Sequence, residues 1–256
     1  MIIGILSAMP EEIDLLSSNI EDAEVLTFGG REYITGKLEG QEVVAVFSRW
    51  GKVAAAQTAT TLITKFGAKK IIFTGVAGAA APDLRIGDVV IGEELLQHDM
   101  DASLIPAFVR FEIPLLGITH FKSDRELTLL AFNAAQEYLS AIRSSSLSSE
   151  LQSTTLDDHG IGIPTARFGI IASGDQFIGD SAKITELREA INGLLCIEME
   201  GAAVAQVCHE HQIPFAVIRA ISDKADSNAV HDFPGFVKNI VSHYSNGIVR
   251  SMLKNL

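Results

Sequence analysis

Hydrophobic and polar positions follow two different periods in the first part of the chain. Short apolar runs at Ile2–Ser7 and Lys70–Thr74 are typical of buried strands. Between them, residues 24–48 alternate between apolar and polar side chains and contain turn residues at Gly29-Gly30 and Glu39-Gly40. This alternation predicts three antiparallel strands joined by tight turns.

The rest of the chain repeats an order of strand and then helix. Pro10 suits the first turn of a helix that carries Glu11 and Glu12. The remaining strands are predicted at Gly87–Gly92, Arg167–Ser173, Leu194–Glu198 and Pro214–Ser222, and the remaining helices at Lys52–Phe66, Asp124–Ile142, Ala182–Asn192, Gly201–His211 and Phe233–Leu256. Alternating strands and helices indicate an α/β fold with a largely parallel central sheet.

The chain is long enough, and apolar enough, to form one large core. It has 256 residues, of which 47% are hydrophobic, and it shows no internal repeat and no linker. We therefore predict a single domain spanning residues 1–256. Eight of the twelve residues from Ser144 to Thr155 are Ser or Thr. This bias predicts a Ser/Thr-rich surface insertion near residues 143–163.

The charge balance limits the kinds of partner that the protein can bind, and the cysteine content indicates its cellular compartment. The 32 acidic residues outnumber the 20 basic ones, for a net charge of −12, and Lys69-Lys70 is the largest basic cluster. This balance argues against binding of nucleic acid or of an anionic membrane surface, and no apolar run is long enough to span a membrane. Cys196 and Cys208 lie in apolar surroundings and form no C-x-x-C pair. They predict reduced thiols in a cytoplasmic protein.

Several common cofactor and metal motifs do not occur in the sequence. There is no phosphate-binding G-x-x-x-x-G-K-[ST] loop, no G-x-G-x-x-G after the first strand and no H-E-x-x-H. His98, Asp99 and Asp101 could suggest a metal site. Adjacent residues of a strand point to opposite faces, however, and make a poor chelate. We expect neither a metal ion nor a cofactor.

Acidic residues follow three of the predicted strands. Glu11-Glu12 comes after the first strand, Glu198-Met199-Glu200 after the strand at 194, and Asp223 after the strand at 214. Ligands of open α/β sheets collect beyond the carboxyl ends of the strands. Carboxylates without balancing bases suit a neutral, hydroxyl-rich substrate, and a buried carboxyl can act as a general acid. The small residues of a predicted turn at Gly75–Ala80 would let such a ligand approach the backbone closely.

Seven short blocks between residue 2 and about residue 236 carry a family resemblance. They are Gly4–Glu12 (GILSAMPEE), Gly51–Ala56 (GKVAAA), Thr74–Gly78 (TGVAG), His98-Asp99, Ser173–Ile178 (SGDQFI), Ile197–Gly201 (IEMEG) and Arg219–Asp226 (RAISDKAD). In this order they resemble the bacterial 5′-methylthioadenosine/S-adenosylhomocysteine nucleosidases of the nucleoside phosphorylase superfamily. The resemblance implies a three-layer fold with a central mixed, largely parallel twisted sheet flanked by helices. It also implies hydrolysis of the N-glycosidic bond between adenine and a 5′-thio-substituted ribose.

The resemblance further implies the catalytic residues of that reaction. Asp223 would protonate N7 of adenine so that a neutral base leaves, with Ser222 orienting its carboxyl. Glu12 would hold and deprotonate the attacking water, and Arg219 would position it. Carboxylates near the ribose would stabilise the positive charge that builds on the ring as the base departs.

The substrate-binding residues are implied in the same way. Glu200 would bind the ribose hydroxyls, Phe177 would cover the adenine face, the Ile178 backbone would read its edge, and Met9 and Phe233 would line the 5′ pocket. The complete implied set is Met9, Trp50, Val76, Ala77, Gly78, Phe177, Ile178, Glu198, Met199, Glu200, Ser222 and Phe233.

Two positions and the Ser/Thr-rich insertion depart from the family pattern, and Trp50 leaves the preferred 5′ substituent open. Val76 stands where the family often has Ser, and Trp50 stands where a smaller aliphatic residue is common. The alternatives are a phosphorylase of the same fold, a nucleosidase acting on futalosine-type nucleosides or AMP, and a nucleoside sensor without turnover. The family also implies a homodimer in which a partner loop closes the 5′ pocket. The apolar segment Leu104–Phe111 is either that loop or a packed connection.

Overall fold

Strands from the whole length of the chain form one mixed sheet. The computed structural model describes residues 1–143 and 161–256. Within these residues the strands are β1 (Ile3–Ser7), β2 (Glu21–Phe28), β3 (Arg31–Leu38), β4 (Gln41–Phe47), β5 (Lys70–Ala79), β6 (Val89–Gln97), β7 (Phe121–Lys122), β8 (Ala166–Ser173), β9 (Leu194–Glu198) and β10 (Phe215–Asp223).

Helices connect most of these strands. A 3₁₀ turn at Pro10–Glu12 precedes the first short helix, and a π-helical turn at Val237–Val241 precedes the last helix. The α-helices of the described residues are α1 (Asp14–Ser17), α2 (Lys52–Thr64), α3 (Arg125–Arg143), α4 (Ser181–Ala190), α5 (Gly201–Glu210), α6 (Ala229–Phe236) and α7 (Ser242–Lys254).

Two blocks of parallel strands make up the centre of the sheet. Strands β4, β1, β5 and β10 pair in parallel, as do β6, β8 and β9. Antiparallel pairing of β10 with β6 and of β5 with β9 joins the two blocks. Because β5 pairs with both β10 and β9, strands β5, β10, β6, β8 and β9 close into a ring. The antiparallel strands β2 and β3 extend the sheet beyond β4.

The central parallel strands β1, β5 and β10 are buried on both faces, as parallel strands usually are, whereas β2 is exposed along its whole length. Consecutive residues of β5 enter opposite cores: Ile72 packs with α3 and α7, and Phe73 packs with α2 and α5. The same alternation occurs at Ile5 and Leu6 of β1. This arrangement confirms the predicted α/β fold of three layers, with helices on each side of a central mixed sheet.

Two of the predicted elements were wrong. Residues Gly75–Ala79 do not turn but continue β5, because β10 pairs with Gly75, Val76 and Ala77 and β9 pairs with Gly78 and Ala79. The helix predicted from Pro10 is divided into the 3₁₀ turn and α1. At that turn the Glu12 side chain points inward and accepts hydrogen bonds from the backbone N–H groups of Ala8 and Met9.

The C-terminal helical region begins earlier than the sequence pattern predicts. The helix predicted from Phe233 begins earlier, at Ala229, so Phe233 lies inside α6. Residues 144–160 of the predicted Ser/Thr-rich insertion lie outside the described residues, and that prediction stays untested. In the described residues, no helix is both long enough and apolar enough to cross a membrane.

Candidate active site

A pocket of about 540 Å³ opens where β1, β9 and β10 end beside the small residues of β5. All of the sequence-predicted site residues except Arg219 line it. Sequence reasoning missed Ala8, Gln176 and Ile197 as lining residues, although all three lie inside or beside the motif blocks. The lining residues are Ala8, Met9, Glu12, Trp50, Val76, Ala77, Gly78, Gln176, Phe177, Ile178, Ile197, Glu198, Met199, Glu200, Ser222, Asp223 and Phe233.

The Glu12 carboxylate is held rigidly by backbone donors. Its Oε2 accepts hydrogen bonds from the N–H groups of Ala8 at 2.7 Å and Met9 at 2.9 Å, and its Oε1 accepts one from Val76 at 3.0 Å. A Cβ at Gly75 would lie 2.6 Å from Oε1, so the glycine makes room for the carboxylate. Burial raises the pKa of Glu12, against the opposing effects of Arg219 and these donors. Glu12 is therefore a fixed carboxyl with increased basicity.

Arg219 lies beneath the pocket instead of in its lining. Its side chain is 1% exposed, its Nη2 donates to Glu198 Oε2 at 2.7 Å, and its guanidinium carbon lies 4.0 Å from the centre of the Phe73 ring. Burial would lower the pKa of Arg219, but the carboxylates of Glu198 and Glu12 raise it. The guanidinium is thus a permanent positive charge below a group of carboxyls.

The Glu198 carboxylate accepts hydrogen bonds mainly from other groups of the protein. Besides Arg219, it accepts hydrogen bonds from the Ser173 hydroxyl, from the Glu200 N–H at 3.1 Å and from the Gly201 N–H at 2.8 Å. Gly201 begins helix α5, and the N-terminus of a helix favours negative charge. Ser173 belongs to one of the seven motif blocks, but it was not predicted as a site residue. Its contacts with Glu198 depend on the pairing of β8 with β9.

Glu200 occupies the N-cap position of α5 and faces the pocket. Its Oε1 accepts a hydrogen bond from the Gly51 N–H at 2.8 Å. Burial and the nearby Glu198 raise the pKa of Glu200 to about 8. With its two oxygens this carboxyl can accept hydrogen bonds from two vicinal hydroxyl groups.

Asp223 ends β10 with a carboxyl suited to proton donation. Its Oδ1 accepts from the Ala225 N–H at 2.8 Å, and its Oδ2 accepts from the Ser222 hydroxyl at 2.8 Å. Burial raises the pKa of Asp223, although both hydrogen bonds lower it. A Cβ at Gly78 would lie 2.9 Å from Oδ1, so β5 makes room for this acid as well.

Three aromatic rings form the rim of the pocket. Trp50 and Phe233 meet edge to face with ring centres 6.1 Å apart, and Phe177 and Phe233 do so at 5.6 Å. Trp50 is 52% exposed and Phe177 is 45% exposed. Phe233 reaches both rings from α6, and the buried Met9 also lines the pocket. The rim thus offers apolar, partly open surface to a ligand.

The two aspartates considered as metal ligands accept hydrogen bonds from other groups of the protein, Asp101 from the Ser103 N–H at 2.9 Å. Asp99 binds the ammonium group of Lys52 at 2.6 Å and the Asp175 N–H at 2.9 Å. His98 is buried, and burial lowers its pKa. Over residues 1–143 and 161–256, no group of three or more His, Cys, Asp or Glu residues is arranged to hold a metal ion.

Comparison with known proteins places the chain in a defined class. Residues 2–254 match the family model of the phosphorylase superfamily, and the chain belongs to that superfamily. It is 34% identical over 252 residues to the 5′-methylthioadenosine/S-adenosylhomocysteine nucleosidase of Bacillus thuringiensis subsp. konkukian, covering 98% of this chain and 97% of the relative. The nucleosidase of Bacillus cereus strain B4264 gives the same identity and coverage.

Solved structures narrow the class further. The nucleosidase of Neisseria meningitidis in complex with methylthio-immucillin-A superposes with a TM-score of 0.86 at 31% identity, covering 100% of this chain and 99% of that one. The futalosine hydrolase of Helicobacter pylori superposes with a TM-score of 0.82 at 31% identity, covering 100% of this chain and 98% of that one. Within the superfamily, the chain belongs to the 5′-methylthioadenosine/S-adenosylhomocysteine nucleosidase family.

The raised pKa of Glu200 predicts a pH-dependent contribution to stability. Between the ordinary glutamate pKa and about 8, the folded protein holds a proton on Glu200 that the unfolded chain does not hold. Unfolding then releases this proton, so rising pH destabilises the fold through this group. Replacing Glu200 by Gln removes the effect. We expect the difference in free energy of unfolding, E200Q minus wild type, to increase by on the order of 1 to 3 kcal/mol between pH 5.5 and pH 8.

Urea denaturation of both proteins at several pH values in this range measures the difference. Glu12 and Asp223 are present in both proteins, so their own titrations largely cancel in the comparison. Parallel pH dependences for wild type and E200Q would show that Glu200 is ionised throughout the range.

Proposed function

We propose that this protein hydrolyses the N-glycosidic bond of 5′-thioadenosines, releasing adenine and the thioribose. The proposed substrates are 5′-methylthioadenosine and S-adenosylhomocysteine, after which the similar nucleosidases are named. The observation that carries the proposal is the meeting of Glu12, Glu200 and Asp223 in one pocket, each in a different environment. These environments suit the three tasks of the reaction: activating water, holding ribose and protonating the leaving base.

Asp223 is the proposed general acid. Its raised pKa favours the protonated form, and the Ser222 hydroxyl and the Ala225 N–H fix its orientation. Transfer of this proton to N7 of adenine lets the bond between C1′ and N9 break with both bonding electrons moving to the base. Adenine then leaves as a neutral molecule, and positive charge develops on the ribose ring.

Glu12 is the proposed base for the attacking water. Three backbone donors fix its carboxylate, so that its basic electron pairs keep one direction. The water oxygen forms the new bond to C1′, and its proton passes to Glu12. Arg219 contacts Glu198 directly and acts on Glu12 through its charge, so we assign it the part of a positioning residue. Val76 keeps a backbone contact with Glu12 where the family often has a Ser.

Substrate binding divides between the two sides of the pocket. Glu200 binds the ribose hydroxyls with help from the Met199 backbone, while Glu198 supports Glu200 from below. Phe177 covers the adenine face and the Ile178 backbone reads its edge, and the small residues Ala77 and Gly78 allow close approach. The rim residues Met9, Trp50 and Phe233 receive the 5′ substituent.

Phosphorolysis is disfavoured by the charge of the pocket. Four carboxyl groups, of Glu12, Glu198, Glu200 and Asp223, line it, and no Lys or Arg of residues 1–143 and 161–256 belongs to its lining. Arg219 is engaged by Glu198, and the Arg49 side chain donates to the Gly30 carbonyl at 2.6 Å. A phosphate dianion would therefore meet carboxyls without a free cation to offset them.

A futalosine-type nucleoside is the second candidate substrate. The aromatic rim of Trp50, Phe233 and Phe177 would stack well on an aryl 5′ substituent. The similarity to the futalosine hydrolase of Helicobacter pylori supports the same possibility. We prefer 5′-methylthioadenosine because both similar Bacillus proteins are named for it, and because the Neisseria nucleosidase superposes with the higher TM-score of the two solved structures.

The homodimer and the cytoplasmic location stay predictions. Leu104, Ile105 and Val109 are 99%, 55% and 59% exposed, which fits a segment that a second copy of the chain would cover. The buried, unbridged Cys196 and Cys208 are consistent with a reducing compartment.

Loss of the proposed acid should stop adenine release while the fold stays intact. We expect Asp223→Asn to lower kcat on 5′-methylthioadenosine by about 10² to 10⁴, because the isosteric amide cannot protonate N7. Asp83→Asn is the matched control, since the Asp83 side chain is 68% exposed, pairs with Arg167 and does not line the pocket. Adenine is measured by chromatography, and folding by circular dichroism. Wild-type rates in a folded D223N protein would reject Asp223 as the acid.

Trp50 should set the preference for the 5′ substituent. Replacing Trp50 by Leu removes an aromatic wall worth about 0.5–1.5 kcal/mol to a stacked ring. We therefore expect kcat/KM for 5′-phenylthioadenosine to fall about threefold to tenfold more than kcat/KM for 5′-methylthioadenosine. Val53→Ala serves as the control, since Val53 is 80% exposed on α2. Equal changes for both nucleosides would mean that Trp50 does not contact the substituent.

A further inference from the structure

Lys52, the first residue of α2, connects four separate elements behind the pocket. Its ammonium group donates to Asp99 at 2.6 Å and to the Gln97 side chain at 3.0 Å, both at the end of β6. Its backbone N–H donates to Asp175 Oδ1 at 2.7 Å, in the segment after β8. Gln97 in turn donates to Gln206 of α5 at 2.7 Å. We refer to Lys52, Asp99, Asp175, Gln97 and Gln206 as the Lys52 cluster.

The cluster lies between the two halves of the proposed substrate site. On one side, Gly51 immediately precedes Lys52, and its N–H holds the Glu200 carboxylate at 2.8 Å. On the other side, Asp175 begins the segment that carries Phe177 and Ile178 into the pocket. Asp99 closes the connection, because its Oδ2 accepts from the Asp175 N–H at 2.9 Å while its Oδ1 binds Lys52.

The backbone at Gly51 is shaped to bring these two sides together. Gly51 has a φ of +93°, and a Cβ at this position would lie 3.0 Å from Asp175 Oδ1. A residue with a side chain would be strained here and would push the Asp175 segment away. The close approach of α2 to this segment therefore depends on the glycine and on the groups that hold the contact.

The Lys52–Asp99 pair is largely shielded from solvent. The two side chains are 16% and 21% exposed. Burial tends to raise the pKa of Asp99, but the bonds from Lys52 and the Asp175 N–H outweigh it and lower the pKa. Asp99 therefore stays ionised at neutral pH, and the pair is a lasting connection of fixed geometry.

We propose that Lys52 is a positioning residue that sets the spacing between the ribose carboxylate Glu200 and the adenine-covering segment 175–178. The inference rests on the proposed nucleosidase function and adds a residue to it. Neither Lys52 nor Asp99 lines the pocket, and neither contacts Glu12 or Asp223. Loss of the pair should consequently weaken simultaneous binding of ribose and adenine while leaving the acid and the base in place.

This division of tasks predicts a specific kinetic signature. In Lys52→Met, which keeps the length of the apolar stem, we expect KM for 5′-methylthioadenosine to rise about tenfold while kcat stays within about threefold of wild type. Asp99→Asn removes the charge of the partner and should give the same pattern. The K52M/D99N double variant should be no worse than either single variant, because all three remove one shared connection. Lys52→Arg should recover part of the affinity.

Lys183→Met provides the matched control. Lys183 forms an ion pair with Glu186 at 2.7 Å on the more exposed surface of α4, so its loss should leave both kinetic constants unchanged. Thermal unfolding of every variant separates a loss of fold from a loss of position. If K52M does not fold, the isosteric D99N variant carries the test.

Each outcome then bears on a different claim. An unchanged KM in a folded K52M or D99N protein overturns the role of Lys52, as do additive effects in the double variant. In either case wild-type turnover leaves the nucleosidase proposal standing. A wild-type protein that releases no adenine from 5′-methylthioadenosine refutes the proposed function, and the role assigned to Lys52 falls with it.

Discussion

The geometry of the pocket depends on one buried positive charge. Arg219 interacts with the carboxyl groups of Glu198, Glu12 and Glu200, pairs with Glu198 at 2.7 Å and packs over the Phe73 ring. Carboxylates buried so close together would otherwise repel one another or take up protons, since an unpaired buried charge is strongly destabilising. The guanidinium neutralises Glu198 and lowers the pKa values of Glu12 and Glu200, while burial raises both. Because these opposing effects differ in size from group to group, neighbouring carboxyl groups have different proton affinities.

The fold converts this balance into separate tasks. Closure of the five-strand ring brings the ends of β9 and β10 to the glycines and alanines of β5, where a larger side chain would collide with Glu12 or Asp223. Glu12 receives backbone donors alone, Asp223 receives a hydroxyl and one N–H, and Glu200 receives the Gly51 N–H. Because hydrogen bonds and burial shift a pKa in opposite directions, this division supplies an acid, a base and a hydroxyl-binding group within one pocket.

The local pattern of apolar and polar residues was sufficient to predict most strands and the acidic residues at their ends. Apolar runs such as Ile2–Ser7 predict strands correctly because a strand buried on both faces needs apolar residues at consecutive positions. Asp223 follows such a run directly. The turn predicted at Gly75–Ala80 was wrong because the cause of the observed structure is not local. Its small residues are typical of a turn, but pairing with β9 and β10, more than 100 residues away, keeps them extended. Ser173, Lys52 and the position of Arg219 beneath the pocket depend on similar long-range contacts, which the sequence does not display.

The central claim is that a water molecule, placed beside Glu12, attacks C1′ of the nucleoside. The most direct test is turnover of 5′-methylthioadenosine in water labelled with oxygen-18, with saturating phosphate present, followed by rapid reduction and mass analysis of the sugar. The account predicts adenine and a methylthioribose that carries the label at C1, at a rate that phosphate does not change. Formation of unlabelled methylthioribose 1-phosphate would contradict it and would show that the carboxyl-lined pocket accepts a phosphate nucleophile.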